Sequence, residues 1–324
     1  MGTVITLGEV LIDFVPEANG QALEDVPSFK KAPGGAPANV AAAVARLGGA
    51  SRFLGKVGAD PFGDFLIGTL ADAGVDTGRI YRTDKAKTAL AFVSLKEDGE
   101  RDFLFYRDPS ADMLLTKEEI TEEALAEGGV FHYGSISLIA EPARSATVKA
   151  ARLAGERGML VSYDPNLRLP LWPGGAPAAK EAILTHVPFA DIVKVSEEEL
   201  IFLTGQTDII AGASWFFTQG IRLLLVTLGK DGCAYVRPNG TVKRLPGFAV
   251  RAVDATGAGD GFVGGFLHRL AGAGIKPEAL TMLPDGELEN MLHFANAVGA
   301  LTTMKRGAIS ALPSADEVKE LMKH

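Results

Sequence analysis

Residues Val253–Phe262 read VDATGAGDGF, a stretch in which glycines, a threonine and two carboxylates lie between an apolar run and an amphipathic one. Upstream, Phe248–Val253 is apolar and β-branched enough to predict a strand. Downstream, Phe262, Val263, Phe266, Leu267 and Leu270 recur at helical spacing. A strand, a glycine turn and a helix form the repeating unit of an α/β fold, and here the turn carries chemistry. The first N–H groups of a helix lack intrahelical partners and bear partial positive charge, so glycines at 257 and 259 let a phosphate reach bare backbone. Asp260 then admits two readings. It is an acid favoured at a helix start by the dipole, or a base that takes the proton from a hydroxyl attacking phosphorus.

Working outward, the rest of the chain repeats the unit. The opening VITLGEVLIDFV predicts β structure, with Asp13 as an acid among apolar residues that calls for a reason. Lys30, Lys31 and Pro33 lead to Gly34–Gly35, after which PANVAAAVARLGG predicts a helix with Pro37 and Asn39 in its first turn. Arg52–Val57 predicts a strand, and Asp60 caps a helix that has Pro61 at its first position and Gly74 at its stop. The rhythm breaks at Thr88–Lys96 and Arg101–Arg107, two alternating runs joined through Asp98–Gly99, a hairpin signal. This hairpin is expected to team with Phe14–Lys31 as a side sheet or lid. Alternation resumes through Val130–Tyr133, Met159–Asp164, Asp191–Val195 and Arg222–Thr227, each followed by or set between helical patterns. Cys233–Arg237 and Thr241–Leu245 predict a short hairpin, and the last third is helical. The expected architecture is a mostly parallel sheet covered by helices on both faces, in a single domain over 1–324 with a lid formed by about 14–31 and 88–107.

With 324 residues, 47% of them apolar, the chain can bury a sizeable core, and a net charge of −8 without basic clusters argues against nucleic-acid or anionic-membrane partners. Small ligands are the expected partners. The lone Cys233 leaves no intramolecular disulfide, and five scattered histidines offer no zinc spacing. No apolar run long enough to span a membrane and no signal segment is evident, so a cytoplasmic protein is expected. Met1–Thr6 matches the myristoylation pattern, but Val4–Leu7 already starts a strand and leaves no free tail.

In open parallel sheets, ligands collect beyond the carboxyl ends of the strands. Asp164–Arg168 (DPNLR), Lys194–Glu199 (KVSEEE), Thr227–Gly232 (TLGKDG) and the opening loop all hold such positions. A P-loop is excluded, because Gly55–Lys56 is followed by Val57 instead of a hydroxyl. Gly259–Gly264 matches GxGxxG but comes late in the chain, with no acid-ended strand after it, which weighs against a dinucleotide oxidoreductase. Ser196–Glu199 spells a capping box, to which a metal-water role for Glu199 would be an addition. Lys194 is either a snorkelling strand residue or a charge for nucleotide phosphates, and His132 is expected to be a packed strand residue.

These residues together carry a pattern. GEVLIDF, APGGAPANVA, GKVGADPFG, TALAFVSL, FYRDPSADMLL, HYGSISL, SYDPNLR, KVSEEEL, LLVTLG, VDATGAGDGFVGG and KRGAISALP resemble the ribokinase-like, or PfkB, carbohydrate kinases, most closely the fructokinases among them. The resemblance implies a three-layer α/β/α core with a small β lid, ATP and Mg2+, often K+ as activator, and transfer of phosphate from ATP to a sugar, here D-fructose giving fructose 6-phosphate. It implies Asp260 as the base, with Gly257, Ala258 and Gly259 donating N–H groups to the transferred phosphoryl. Asp13, Gly34, Gly35 and Asn39 would hold sugar hydroxyls, with Arg107 and Arg168 nearby. Lys194, Thr227, Gly229, Gly232, Gly257, Gly259 and Asn296 would line the ATP site. Glu199 would meet Mg2+ through water, and K+ would sit by Asp254, Thr256 and backbone oxygens around Gly307. Ser196 stands where many members carry asparagine in N-x-x-E, which leaves its own metal role open. A homodimer through the lid is a further expectation. The alternatives are another acceptor (aminoimidazole riboside, ribose or 2-keto-3-deoxygluconate) and a non-catalytic sugar-binding relative.

Overall fold

The computed structural model describes residues 2–17, 20–95 and 101–323. The expected Asp98–Gly99 turn lies outside the described residues. The strands in chain order are β1 Thr3–Leu7, β2 Leu11–Pro16, β3 Phe29–Gly34, β4 Ser51–Gly58, β5 Ile80–Thr83, β6 Leu90–Leu95, β7 Arg101–Tyr106, β8 Gly128–Gly134, β9 Leu160–Asp164, β10 Ile192–Ser196, β11 Leu223–Thr227, β12 Cys233–Val236 and β13 Val242–Leu245. The helices are α1 Ala36–Arg46, α2 Pro61–Asp72, α3 Ala143–Glu156, α4 Gly175–His186, α5 Glu197–Thr204, α6 Ile209–Thr218, α7 Ala258–Ala273, α8 Pro277–Leu280, α9 Asp285–Thr302 and α10 Ala315–Leu321.

The main sheet has nine strands in the order β13-β12-β11-β10-β9-β8-β1-β4-β5. It is parallel from β11 to β5 and antiparallel at the β11–β12 and β12–β13 pairs. A second sheet, β3-β2-β6-β7, stands apart, with β2 and β6 parallel and the outer pairs antiparallel. It unites the expected hairpin with the segment after Asp13.

Because strand side chains alternate between faces, neighbouring residues of the main sheet feed different cores. Ile5, Phe131, Val161 and Val193 pack under α3, α4, α5 and α6 with Ala146, Ile183, Leu200 and Phe216. Val4, Val130, Leu160 and Ile192 pack under α1, α7 and α9 with Val44, Phe266 and Leu292. This is the three-layer α/β/α arrangement that the resemblance implies. Two residues further along each strand, the α7-side face turns polar, with buried Thr6, His132, Ser162 and Lys194. The change of character falls at the carboxyl ends, where a ligand would lie.

Phe248–Val253 is not a strand. Phe248 packs against His293 of α9, with ring centroids 4.7 Å apart and the planes tilted, and the Val253 and Asp254 N–H groups both donate to Thr303 O (2.7 and 3.0 Å) instead of to a neighbouring strand. An apolar, β-branched run is equally suited to packing on a helix, and here that contact prevailed. Among the described residues no single helix is long and apolar enough to cross a membrane; the bent pair α5 and α6 passes by composition only, and its Leu200, Leu203 and Phe216 are core residues.

Candidate active site

The site is built where α1 and α7 start side by side. α1 opens at Gly35, whose φ of 107° a side chain would strain and whose Cβ would overlap the Glu9 carbonyl. α7 opens at Gly257, in the left-handed region at φ 77°, with the Ala308 Cβ only 2.8 Å from where its own would stand. Further along, a Cβ at Gly264 would collide with Ala43, so the two helices approach more closely than ordinary side chains allow. The close approach brings Asn39, one turn into α1, onto Asp260, in the first turn of α7.

Asp260 is 8% exposed and both its oxygens accept from amides. Asn39 Nδ2 donates to Oδ2 at 2.7 Å and Asn166 Nδ2 to Oδ1 at 3.3 Å. Burial pushes the Asp260 carboxyl up to about 6; the Asn39 bond opposes that, the Asp164 charge adds to it, and Arg168 and Lys194 oppose it. A carboxylate held between two amides, with an affinity for protons just below neutrality, is equipped to accept a proton and then release it.

Lys194, at the end of β10, resolves its two readings by geometry. Its Nζ donates to Asp164 Oδ2 at 3.0 Å with both side chains buried, and it stands 3.5 Å from the Cβ position of Gly259. Burial would push this ammonium down, but Asp164, Glu199 and the hydrogen bond outweigh it and hold the group charged. It is a cation fixed beneath a helix N-terminus, not a side chain reaching for solvent. His132, as expected, packs in its strand: Nδ1 lies 3.1 Å from Ser162 Oγ, and burial, aided by Lys194, pushes its pKa down to about 3, so it is neutral.

The loop after β9 supplies residues that sequence reasoning did not single out. Asp164 pairs with Lys194 and accepts from its own turn through Asn166 N at 3.0 Å, and that turn holds Asn166 at φ 43° with its amide on Asp260. The signal was available, since DPNLR follows a strand end; nothing in the letters said which of its side chains turns inward. Arg168 points out, exposed, with Nη1 on Leu167 O at 3.0 Å.

Asp13 lies on β2 opposite Ala32, with its carboxylate against Gly34, where a Cβ would overlap it. Arg107 sits just past β7, buried on Asp112, with Nε donating to Oδ2 at 2.8 Å. Thr227 ends β11, followed by Gly229 and Gly232 at φ 58° and 97°. Asn296 of α9 is buried and donates to Pro246 O at 3.1 Å, fastening the segment after β13 beside that turn. Ala258 N–H donates to Ala255 O at 3.2 Å.

The capping box at Ser196 is formed, and Glu199 spends both oxygens on backbone: Oε2 accepts from Ser196 N at 2.8 Å and Oε1 from Leu167 N at 2.7 Å. Among the described residues no three His, Cys, Asp or Glu side chains cluster as a metal site. Each Glu199 oxygen retains a lone pair for a metal-bound water, which suits magnesium carried in by a nucleotide rather than caged by protein. Asp254, Thr256 and Gly307 do come together: Asp254 Oδ1 accepts from Thr256 N (3.0 Å) and Oγ1 (2.6 Å), and Oδ2 from Gly307 N (3.0 Å). This carboxylate and hydroxyl beside the glycine loop offer the hard oxygens a monovalent cation takes.

Comparison with known proteins identifies the family and the fold. The family described as pfkB family carbohydrate kinase matches residues 1–315. Fructokinase-2 of Solanum lycopersicum is 51% identical over 326 residues, covering 99% of this chain and 96% of the relative. The crystal structure of the Xylella fastidiosa fructokinase with bound ATP superposes with a TM-score of 0.90 at 39% identity, covering 99% of this chain and 98% of that one. A double mutant of the fructokinase of Vibrio cholerae O395, in fructose, ADP and potassium ion bound form, gives a TM-score of 0.88 at 38% identity with the same coverage.

Proposed function

We propose that this chain, which belongs to the pfkB family of carbohydrate kinases and is a sugar kinase, a phosphotransferase with an alcohol group as acceptor, uses D-fructose and forms fructose 6-phosphate. The observation that carries the chemistry is Asp260, buried at a glycine-opened helix start and clamped by Asn39 and Asn166. The acceptor is supported by the relatives, which are fructokinases over nearly the whole chain.

Asp13, Gly34, Gly35 and Asn39 hold sugar hydroxyls, with Arg107 and Arg168 bounding that side, and present the 6-hydroxyl to Asp260. The triphosphate lies over Lys194, Thr227, Gly229 and Gly232, with Asn296 shaping the base-side wall. Asp260 accepts the hydroxyl proton as the sugar oxygen forms its bond to the γ-phosphorus and the bond to the ADP oxygen breaks. Gly257 and Gly259 N–H groups, and Ala258 N–H shared with Ala255 O, face the charge on the transferred phosphoryl. Glu199 would hold magnesium through water, and the ion when bound would supply charge neutralisation on the phosphates. K+ by Asp254, Thr256 and Gly307 would reinforce the positive field of the loop. The four-stranded sheet, about 14–31 and 88–107, closes as a lid that excludes water as a competing acceptor. Leu104 and Tyr106, 47% and 59% exposed on its β7 edge, support a homodimer through that lid. The free, buried thiol of Cys233 suits a cytoplasmic setting.

The test is a panel of acceptors (fructose, aminoimidazole riboside, ribose and 2-keto-3-deoxygluconate) with MgATP, reading ADP release. Fructose should give the highest kcat/KM. Preference for any other member rejects the acceptor, and sugar binding without ATP consumption at any metal concentration rejects catalysis.

A further inference from the structure

Glu9 plays no part in the chemistry above, yet it is a buried acid at the junction of β2 and α1, the elements that carry Asp13 and Asn39. It lies between β1 and β2, 2% exposed, two residues before the strand that carries Asp13. Its Oε1 accepts from Ala36 N, the first N–H of α1, at 3.0 Å, and its Oε2 is enclosed without a hydrogen-bond partner. Its own carbonyl packs so tightly against Gly35 that a Cβ there would overlap it. At the foot of β7, Arg107, whose charge reaches Glu9, is buried on Asp112 (Nε to Oδ2 2.8 Å, Nη2 to Oδ2 2.7 Å) and donates to Ile136 O at 3.4 Å. β2 and β7 both belong to the four-stranded sheet. One of its strands is therefore rooted at Glu9 and another at Arg107.

We propose that Glu9 is a positioning residue for sugar binding, fastening the start of α1, and with it Asn39, to the root of the four-stranded sheet through the charge of Arg107. Leaving a carboxylate oxygen enclosed and unbonded is costly, and the Arg107 charge offsets part of that cost. Burial pushes Glu9 up to about 7; its own N–H, the Arg107 guanidinium and the Ala36 N–H favour the ionised form and Asp112 disfavours it, and burial outweighs the favourable three. Below that pH Glu9 is neutral and the charge link between the α1 start and the sheet root is lost; above it the link is made.

The inference rests on the sugar-kinase reading, and its experiment separates the two. Steady-state kinetics are run between about pH 6 and 8 on the wild type and on Glu9→Gln, which retains an oxygen for the Ala36 N–H but cannot ionise. In the wild type, KM for fructose should fall as pH rises through about 7 while KM for ATP stays level. In Glu9→Gln, KM for fructose should stay high at all pH, roughly tenfold above wild type at pH 8, as loss of one charge-assisted contact costs, with kcat within about threefold. The separate limb in kcat from Asp260 should persist in the variant. A wild-type sugar KM that is flat across this range overturns the proposal, whether or not Glu9→Gln folds. So does a variant whose sugar KM matches wild type, or whose loss lies in kcat or in KM for ATP. A wild type that ignores fructose but phosphorylates another acceptor defeats the fructose assignment instead, and the same profile is then measured with that acceptor.

Discussion

Asn39→Ala removes the shorter of the two amides on Asp260, the 2.7 Å bond from Nδ2 to Oδ2. That bond is the strongest influence holding the Asp260 carboxyl down against burial, which leaves it at about 6. A hydrogen bond to a charged, buried acceptor contributes about 1.5–3 kcal/mol. Since 1.36 kcal/mol corresponds to one pH unit, its loss should move the acid limb of the rate upward by roughly one to two units. At pH 7 a base titrating at about 6 is roughly nine-tenths ionised, whereas one titrating between about 7 and 8 is between half and a tenth ionised. The variant's kcat at pH 7 should therefore fall about two- to tenfold from ionisation alone. The loss should be recovered at about pH 9, where the base is again ionised. Loss of sugar contacts at Asn39 would raise KM independently of pH, so the two consequences separate. The assay is coupled ADP release with saturating ATP and fructose from about pH 5 to 9. An acid limb that stays where the wild type has it would refute the clamp between Asn39 and Asp260, whatever happens to KM.

Two further outcomes follow from the same geometry. Asp260→Asn should lower kcat by about 10² or more, as loss of a general base does, yet it should not lower the melting temperature. The folded carboxyl titrates near 6, above its ordinary 3.8, so its stabilising, protonated form is lost as pH rises from about 4 through 6. At pH 7 the buried charge opposes folding by about 1–3 kcal/mol, and the amide relieves it; calorimetry at pH 7 that finds the variant clearly less stable contradicts this. Lys194→Met should raise KM for ATP and also destabilise the fold by about 3–5 kcal/mol, because Asp164 is left buried and unpaired. Adding Asp164→Asn should restore most of the stability and none of the ATP affinity, measured by denaturant unfolding and ATP titration.

Much of this protein was legible in its letters. The alternation of strands and helices followed from a two-residue and a 3.6-residue hydrophobic period, and those periods decide which faces are buried whatever the partner. Asp60, Pro61 and Ser196 mark helix starts because capping is satisfied within a few residues, and all are found at helix starts. The glycine loop at 257–259 was likewise local. What stayed ambiguous was everything that depended on a neighbour distant in sequence. Phe248–Val253 has a strand's composition and no strand to pair with, and it packs on α9 and Thr303 instead. Lys194 could not be told from a snorkelling lysine until Asp164 closed on it, and nothing in the letters set Asn39 and Asn166, from separate elements, on Asp260. Glu9, in an opening run dominated by apolar letters, gave no sign of its place against α1.

Patterning, caps and turn glycines are short-range physics, so the sequence alone determined a layered α/β chain with a glycine-opened helix start and the order in which its elements follow one another. Burial and the pairing of charges are long-range, because a carboxyl's affinity for its proton depends on which dipoles surround it once water is gone. Only the tertiary structure decided that the Asp260 carboxyl is buried and raised to about 6, that Lys194 is a fixed cation beneath the loop, and that Glu9 fastens the first N–H of α1.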